Sequence, residues 1–99
     1  MLKSGTIAFV ESMLAERYGF DDIAEVVIRS GIRAALVKIV MDVATYATKD
    51  NWMRPGMIED RDRNLRETLE MCAKWNGAGN GRLAVSFGPR TPGGVTPEL

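Results

Sequence analysis

The chain states one short phrase twice: Leu2-Lys3-Ser4-Gly5-Thr6 is answered by Ile28-Arg29-Ser30-Gly31-Ile32, with the serines at positions 4 and 30, 26 residues apart. Each Ser-Gly pair stands where a helical pattern stops and an apolar, β-branched run begins. Glycine takes the left-handed conformation that closes a helix without a Cβ penalty. Each phrase therefore predicts a helix end, a terminating glycine and then a strand. Lys74-Trp75-Asn76-Gly77 is a looser third version, followed after a short polar turn by Arg82-Leu83-Ala84-Val85. Strand and helix alternate in order, and that order calls for parallel strands joined by helical crossovers. The pattern opens on the tail of a helix and closes in a loop, so it is expected to be a piece of a larger fold.

The first strand is placed at residues 6–11, where Ile7-Ala8-Phe9-Val10 is a continuous apolar run of the kind covered on both faces. A loop of mixed character follows. Asp22, with Glu25 three residues on, forms a capping-box pattern for a helix reaching about Arg29, with Ile23, Val26 and Val27 on one face. The second strand is expected over 32–40. Its Lys38 either snorkels out at an edge or points into a mouth where chemistry occurs. From 41 to 58 periodicity fails, with Tyr46, Trp52, Pro55 and Gly56 scattered among polar residues. A connection of that length covers a site or meets another chain, with short helical turns allowed.

Asp60 caps a charged helix that reaches Trp75 or Asn76 and turns Leu65, Leu69, Cys72 and Trp75 inward. Gly77, Gly79, Asn80 and Gly81 make the turn into a third strand over 82–87. Gly88-Pro89-Arg90-Thr91-Pro92-Gly93-Gly94 then opens the terminal loop.

Lys plus Arg equals Asp plus Glu at 13 each, with no block of one sign, which excludes the electrostatic footprint of a nucleic-acid or anionic-membrane partner. No apolar run approaches a membrane span, and Met1-Leu2-Lys3 opens no signal peptide, so a cytoplasmic setting is expected. Cys72 is the single cysteine. It forbids an internal disulfide and reads as a small core residue. Histidine is absent, which removes Ser-His and Cys-His catalysis and the commonest transition-metal ligand from this chain. No catalytic and no metal-ligating residue is assigned.

Three parallel strands leave two unpaired edges. Closure into an eight-stranded barrel removes them and takes about 250 residues, of which this chain of 99 is under half. The expected fold class is therefore α/β: a partial (β/α)8 TIM-barrel segment of about three parallel strands with intervening helices. Chemistry in such barrels gathers on the loops after the strands' carboxyl ends. Here those positions are 11–13, 38–42 and 88–92.

At these residues the sequence resembles a known family. Leu2-Lys3-Ser4-Gly5-Thr6, a strand ending in Glu11, then Ser30-Gly31-Ile32-Arg33-Ala34, is similar to the second and third strand units of the metal-dependent amidohydrolase superfamily. The branch is that of the cytosine and guanine deaminases, triazine hydrolases and chlorohydrolases. Gly88-Pro89-Arg90-Thr91-Pro92, followed by Thr96-Pro97-Glu98-Leu99, resembles in spacing that family's Pro-His-Ala-Pro loop and the short helix after it. The resemblance covers nearly the whole chain apart from 41–58.

What the resemblance implies is a parent hydrolase whose barrel contributes approximately strands 2 to 4 to residues 1–99, with no separate second domain. The parent uses one divalent metal, zinc or iron, to activate water against a C–N or C–halogen bond of a nitrogen-rich ring. The family's ligands are a His-x-His pair after the first strand, histidines after the fifth and sixth, and an aspartate after the eighth. None has a counterpart here, so this chain alone is expected to be inactive. The implied partner is a small-molecule substrate, and the resemblance leaves room for a homo-oligomeric parent.

Two residues are implied in substrate binding. Arg90 stands where many relatives have histidine and where guanine deaminases likewise have arginine. Its fork donates two parallel hydrogen bonds to a purine carbonyl and ring nitrogen or to a carboxylate. The plainer alternative is a loop arginine paired with an acid or facing water. Glu11, where relatives often have aspartate, faces the same mouth, supports a neighbour or caps a helix. Two other readings stand beside this one: a small independent α/β interaction module centred on Trp52, and a small nucleotide-binding unit, which lacks a Gly-rich phosphate cradle between strand and helix.

Overall fold

The computed structural model describes residues 1–15, 19–45 and 55–99. Strands β1 (Ala8–Leu14), β2 (Arg33–Val40) and β3 (Leu83–Pro89) form one sheet in sequence order, parallel throughout. Helix α1 (Phe20–Ser30) lies between β1 and β2, and α2 (Arg61–Trp75) between β2 and β3. The expected α/β order of parallel strands and crossover helices is what the chain forms.

The repeated phrase does what its glycines allow. Gly5 ends a single 3-10 turn at Leu2–Ser4 with φ 82°, and Gly31 ends α1 with φ 77°. Both are left-handed caps that any side chain would strain. The start of α1 differs from expectation. Gly19 takes the cap position, and Asp22 falls inside the first turn beside Asp21. There both acids face the positive end of the helix dipole rather than closing a capping box.

The core lies on one face of the sheet. Phe20, Ala24 and Val27 of α1 and Met71 of α2 pack with Ala34, Leu36, Leu83 and Val85, joined by half-buried Phe9, Ile23, Cys72 and Trp75. Burying Phe20 alone contributes about 2–3 kcal/mol. The opposite face carries Ala8, Val10, Ala35, Val37, Ala84 and Ser86, none fully buried, with Val10 at 67% exposure. Parallel sheets are ordinarily covered on both sides, so this second, small and mostly apolar face is an uncovered surface.

Two inward faces depart from the sequence reading. Val26 is 54% exposed, and Leu69, expected inside, is 60% exposed. Helix α2 instead buries Asn64, Thr68 and Met71. The cause is Lys38, which neither snorkels out nor points into a mouth. It is fully buried on the helix side of β2, its ammonium donating to Ile39 O at 2.9 Å, Glu59 Oε2 at 3.1 Å and Asn64 Oδ1 at 3.0 Å. A buried cation requires acceptors, and the polar side of α2 supplies one of them. The cap of α2 is as expected, with Asp60 Oδ1 accepting from Arg63 N at 2.9 Å.

The turn at Ala78–Gly81 carries positive φ at Gly79, Asn80 and Gly81 and delivers the chain to β3. In the connection after β2, a 3-10 turn forms at Pro55–Met57. Tyr46 and Trp52 lie outside the described residues.

Candidate functional site

Because all three strands are parallel, their carboxyl ends share one rim, where Glu11–Leu14, Met41–Thr45 and the Arg90 loop meet. The end of β1 is irregular: Glu11 pairs with Leu36 but Leu14 with Lys38, so β1 carries one residue more than β2 across this interval. Bulges of this kind re-aim side chains at strand ends. Here the bulge brings Ser12 O within 3.6 Å of where a Cβ on Gly88 of β3 would stand, so the end of β1 arches toward β3 across β2. Any side chain at 88 would collide with Val37 Cγ1, which explains why the close approach uses glycine.

The two residues that the sequence reading gave to substrate both touch Met13, within the bulge. Glu11 Oε1 accepts a hydrogen bond from Met13 N at 3.2 Å, and Arg90 Nη1 approaches Met13 Sδ at 3.4 Å. Arg90 is half-buried. Glu11 also lines an apolar groove of about 630 Å³ with Phe9, Leu14, Ile23 and Val26, between β1 and α1. Its carboxylate therefore meets the rim from the helix side, whereas Arg90 meets it from β3.

The Arg90 loop is strapped to the end of β2. Arg90 N donates to Val40 O at 3.2 Å, while Asp42 N and Val43 N both donate to Gly94 O, at 3.2 and 3.4 Å. Thr45 donates to Gly93 O through its amide and its hydroxyl, each at 3.0 Å. Asp42 completes the strap, Oδ1 accepting from Thr96 N at 2.8 Å and Oδ2 from Thr96 Oγ1 at 2.5 Å. Burial pushes the Asp42 carboxyl up, but the Thr96 hydrogen bonds and the nearby Arg61 charge outweigh it and hold it below the usual carboxylate range. Sequence reasoning singled out Lys38 and placed Asp42 within the 38–42 strand-end positions, but found neither the Thr96 partner of Asp42 nor the Glu59 and Asn64 partners of Lys38. The available signals were an acid directly after a buried strand and a lone lysine inside one, which physical chemistry obliges to find an anion.

Among the described residues, no group of three or more His, Cys, Asp or Glu is placed to hold a metal ion, and the sequence has no histidine. The donors among the described residues do not fit the divalent ion that the family resemblance implies. Cys72 is half-buried, its thiol pushed up by burial, as suits a packing residue rather than a nucleophile. Among the described residues, no helix is long and apolar enough to cross a membrane.

No family model and no solved structure matches the chain. Curated relatives do. The chain is similar to the 5-methylthioadenosine/S-adenosylhomocysteine deaminase of Halalkalibacterium halodurans, 33% identical over 92 residues, 93% of this chain and 18% of the relative. It is similar to the 5-methylthioadenosine/S-adenosylhomocysteine deaminase 2 of Archaeoglobus fulgidus, 34% identical over 99 residues, 100% of this chain and 20% of the relative. It is also similar to the 5'-deoxyadenosine deaminase of Methanococcoides burtonii, 32% identical over 100 residues, 100% of this chain and 19% of the relative. The chain thus spans about a fifth of the length of the relatives it matches, all three named as deaminases of adenosine derivatives.

Proposed function

We propose that residues 1–99 are an arc of a (β/α)8 barrel, approximately its second to fourth strands, in a cytoplasmic deaminase that hydrolyses a C–N bond of an adenosine derivative or related purine. In that reaction water adds to the ring carbon bearing the amine, the C–N bond breaks and ammonia leaves. The divalent ion and its ligands belong, on this reading, to elements outside these residues. The role of this segment is to hold and orient substrate at the rim through Arg90 and Glu11.

The observation that carries the reading is the placement of Arg90 on a strapped loop at the carboxyl end of a parallel sheet, the end where barrel enzymes assemble their sites. Two features support the barrel. Strands β1 and β3 are each paired on one side only within the described sheet. The uncovered face is also made of residues small enough for a barrel interior filled by opposing strands. On either edge beside its 6-amino donor, adenine offers an arginine a single ring-nitrogen acceptor, N1 or N7, whereas a carboxylate or a carbonyl beside a ring nitrogen accepts from both arms of the fork. Arg90 therefore favours derivatives with an acceptor-rich end.

The test is ammonia release from 5'-deoxyadenosine and S-adenosylhomocysteine by the intact polypeptide that carries this chain. Arg90→Ala is expected to raise KM at least about tenfold, the loss of charge-assisted hydrogen bonds, while metal content stays unchanged. Unaltered kinetics, or loss of metal and activity together, overturns the role given to Arg90.

A further inference from the structure

We infer that Asp42 is the positioning residue for Arg90, an inference that rests on the substrate-binding role proposed above. Arg90 leaves β3 on a loop with no helix or strand of its own beyond an isolated bridge between Pro92 and Val95. A guanidinium on such a loop donates in a fixed direction only when the loop itself is fixed. The loop is held at both ends by the continuation of β2: Arg90 N on Val40 O at one end, and Thr96 on Asp42 at the other.

Asp42 suits this task by its chemistry. Its two carboxylate oxygens accept the amide and the hydroxyl of a single residue, so Thr96 is fixed in orientation as well as position. Its own amide and that of Val43 bind Gly94 O, and Gly94 N in turn donates to Thr91 O at 2.8 Å, closing a tight ring beneath Arg90. Gly94 is buried, and a Cβ there would crowd Thr91 O and Oγ1 at 3.2 Å, so the ring has no slack. Arg61 of α2 adds attraction, while Asp60, Asp62 and Glu98 line the same shallow groove and make an unbonded carboxylate there unfavourable. Asp42 touches no reacting atom on this geometry and acts through Arg90.

A double-mutant cycle on the intact polypeptide tests this, with KM and kcat for ammonia release from S-adenosylhomocysteine, whose carboxylate is an acceptor for both arms of the guanidinium, as readouts. Asp42→Ala is expected to raise KM about tenfold and leave kcat within about twofold, because binding rather than chemistry loses its alignment. Asp42→Asn, which keeps one acceptor and gains a donor for the Thr96 hydroxyl, is expected to stay within about threefold of the unaltered protein. Asp42→Ala combined with Arg90→Ala is expected to be no worse than Arg90→Ala alone, since both act through one contact. Additive effects, or an unchanged KM in Asp42→Ala, overturn the inference while leaving Arg90's role intact. A silent Arg90→Ala overturns the reading beneath it as well. Should Asp42→Ala fail to fold, Thr96→Val removes only the hydroxyl donor and is expected to raise KM about threefold, an unchanged KM again counting against Asp42.

Discussion

Removing the charge of Lys38 should destabilise the protein strongly, and removing its anionic partner as well should restore part of the loss. The ammonium is fully buried and 3.1 Å from Glu59, whose side chain is 5% exposed, and it also serves Asn64 Oδ1 and Ile39 O. Lys38→Met takes the cation away from a buried carboxylate and two neutral acceptors. Truncating one member of a buried pair costs about 3–5 kcal/mol, because the remaining charge has been taken out of water without compensation. Domains of this size hold only about 5–15 kcal/mol in total. With a urea dependence of about 1–3 kcal/mol per molar, the unfolding midpoint should fall by at least about 1 M. Lys38→Met/Glu59→Leu removes both members of the buried pair and leaves the neutral acceptors of Lys38 short, at about 1–3 kcal/mol each. The double variant should therefore be more stable than Lys38→Met. Urea unfolding followed by circular dichroism measures both. An unchanged midpoint in Lys38→Met, or losses that simply add in the double variant, would refute the reasoning.

Two further outcomes are expected. Gly88→Ala should destabilise by about 1–3 kcal/mol, because its methyl meets the χ1-stiff Val37, and Val37→Ala in the same chain should recover most of that; equal stability of Gly88→Ala and the unaltered protein would refute the close approach of Gly88 in β3 to Val37 in β2. Asp21 accepts from Lys74 Nζ and Trp75 Nε1, both at 2.5 Å, tying the start of α1 to the end of α2. The Lys74 hydrogen bond and then that of Trp75 hold its carboxyl below the usual range. A depressed carboxyl stabilises the fold above its unfolded pKa and ceases to as pH falls through its folded pKa. Stability should therefore decline from about pH 4 downward, less steeply in Asp21→Asn. With the side chain 45% exposed, the difference is about 0.2–1 kcal/mol, readable as a divergence of urea midpoints between pH 5 and pH 3.

Local chemistry was legible in the sequence where the chain's own neighbours decide the outcome. Gly5 and Gly31 sit at helix ends with positive φ, Asp60 caps α2 through Arg63, and alternation of apolar strand and helix gives a parallel sheet in sequence order. What the sequence concealed depends on partners distant along the chain. Apolar periodicity pointed Leu69 inward, but Lys38, 26 residues before Asn64, turns the polar stripe of α2 toward the sheet. The bulge that sets Ser12 and Met13 of β1 against the single Val37 of β2 is invisible to a pattern of apolar residues, since both look like loop. Arg90 was identifiable just past a strand end, whereas Glu11, expected to end its strand, stands midway along β1. That both touch Met13, and that Asp42 binds Thr96 from 54 residues before it, required the fold.

The most direct measurement is the sequence of the DNA on both sides of the codons for Met1 and Leu99. If β1 to β3 are staves of a deaminase barrel whose metal ligands lie elsewhere, the open reading frame continues in both directions. It then encodes a His-x-His pair within a few dozen codons upstream and further histidines downstream. Stop codons close to both ends would contradict it.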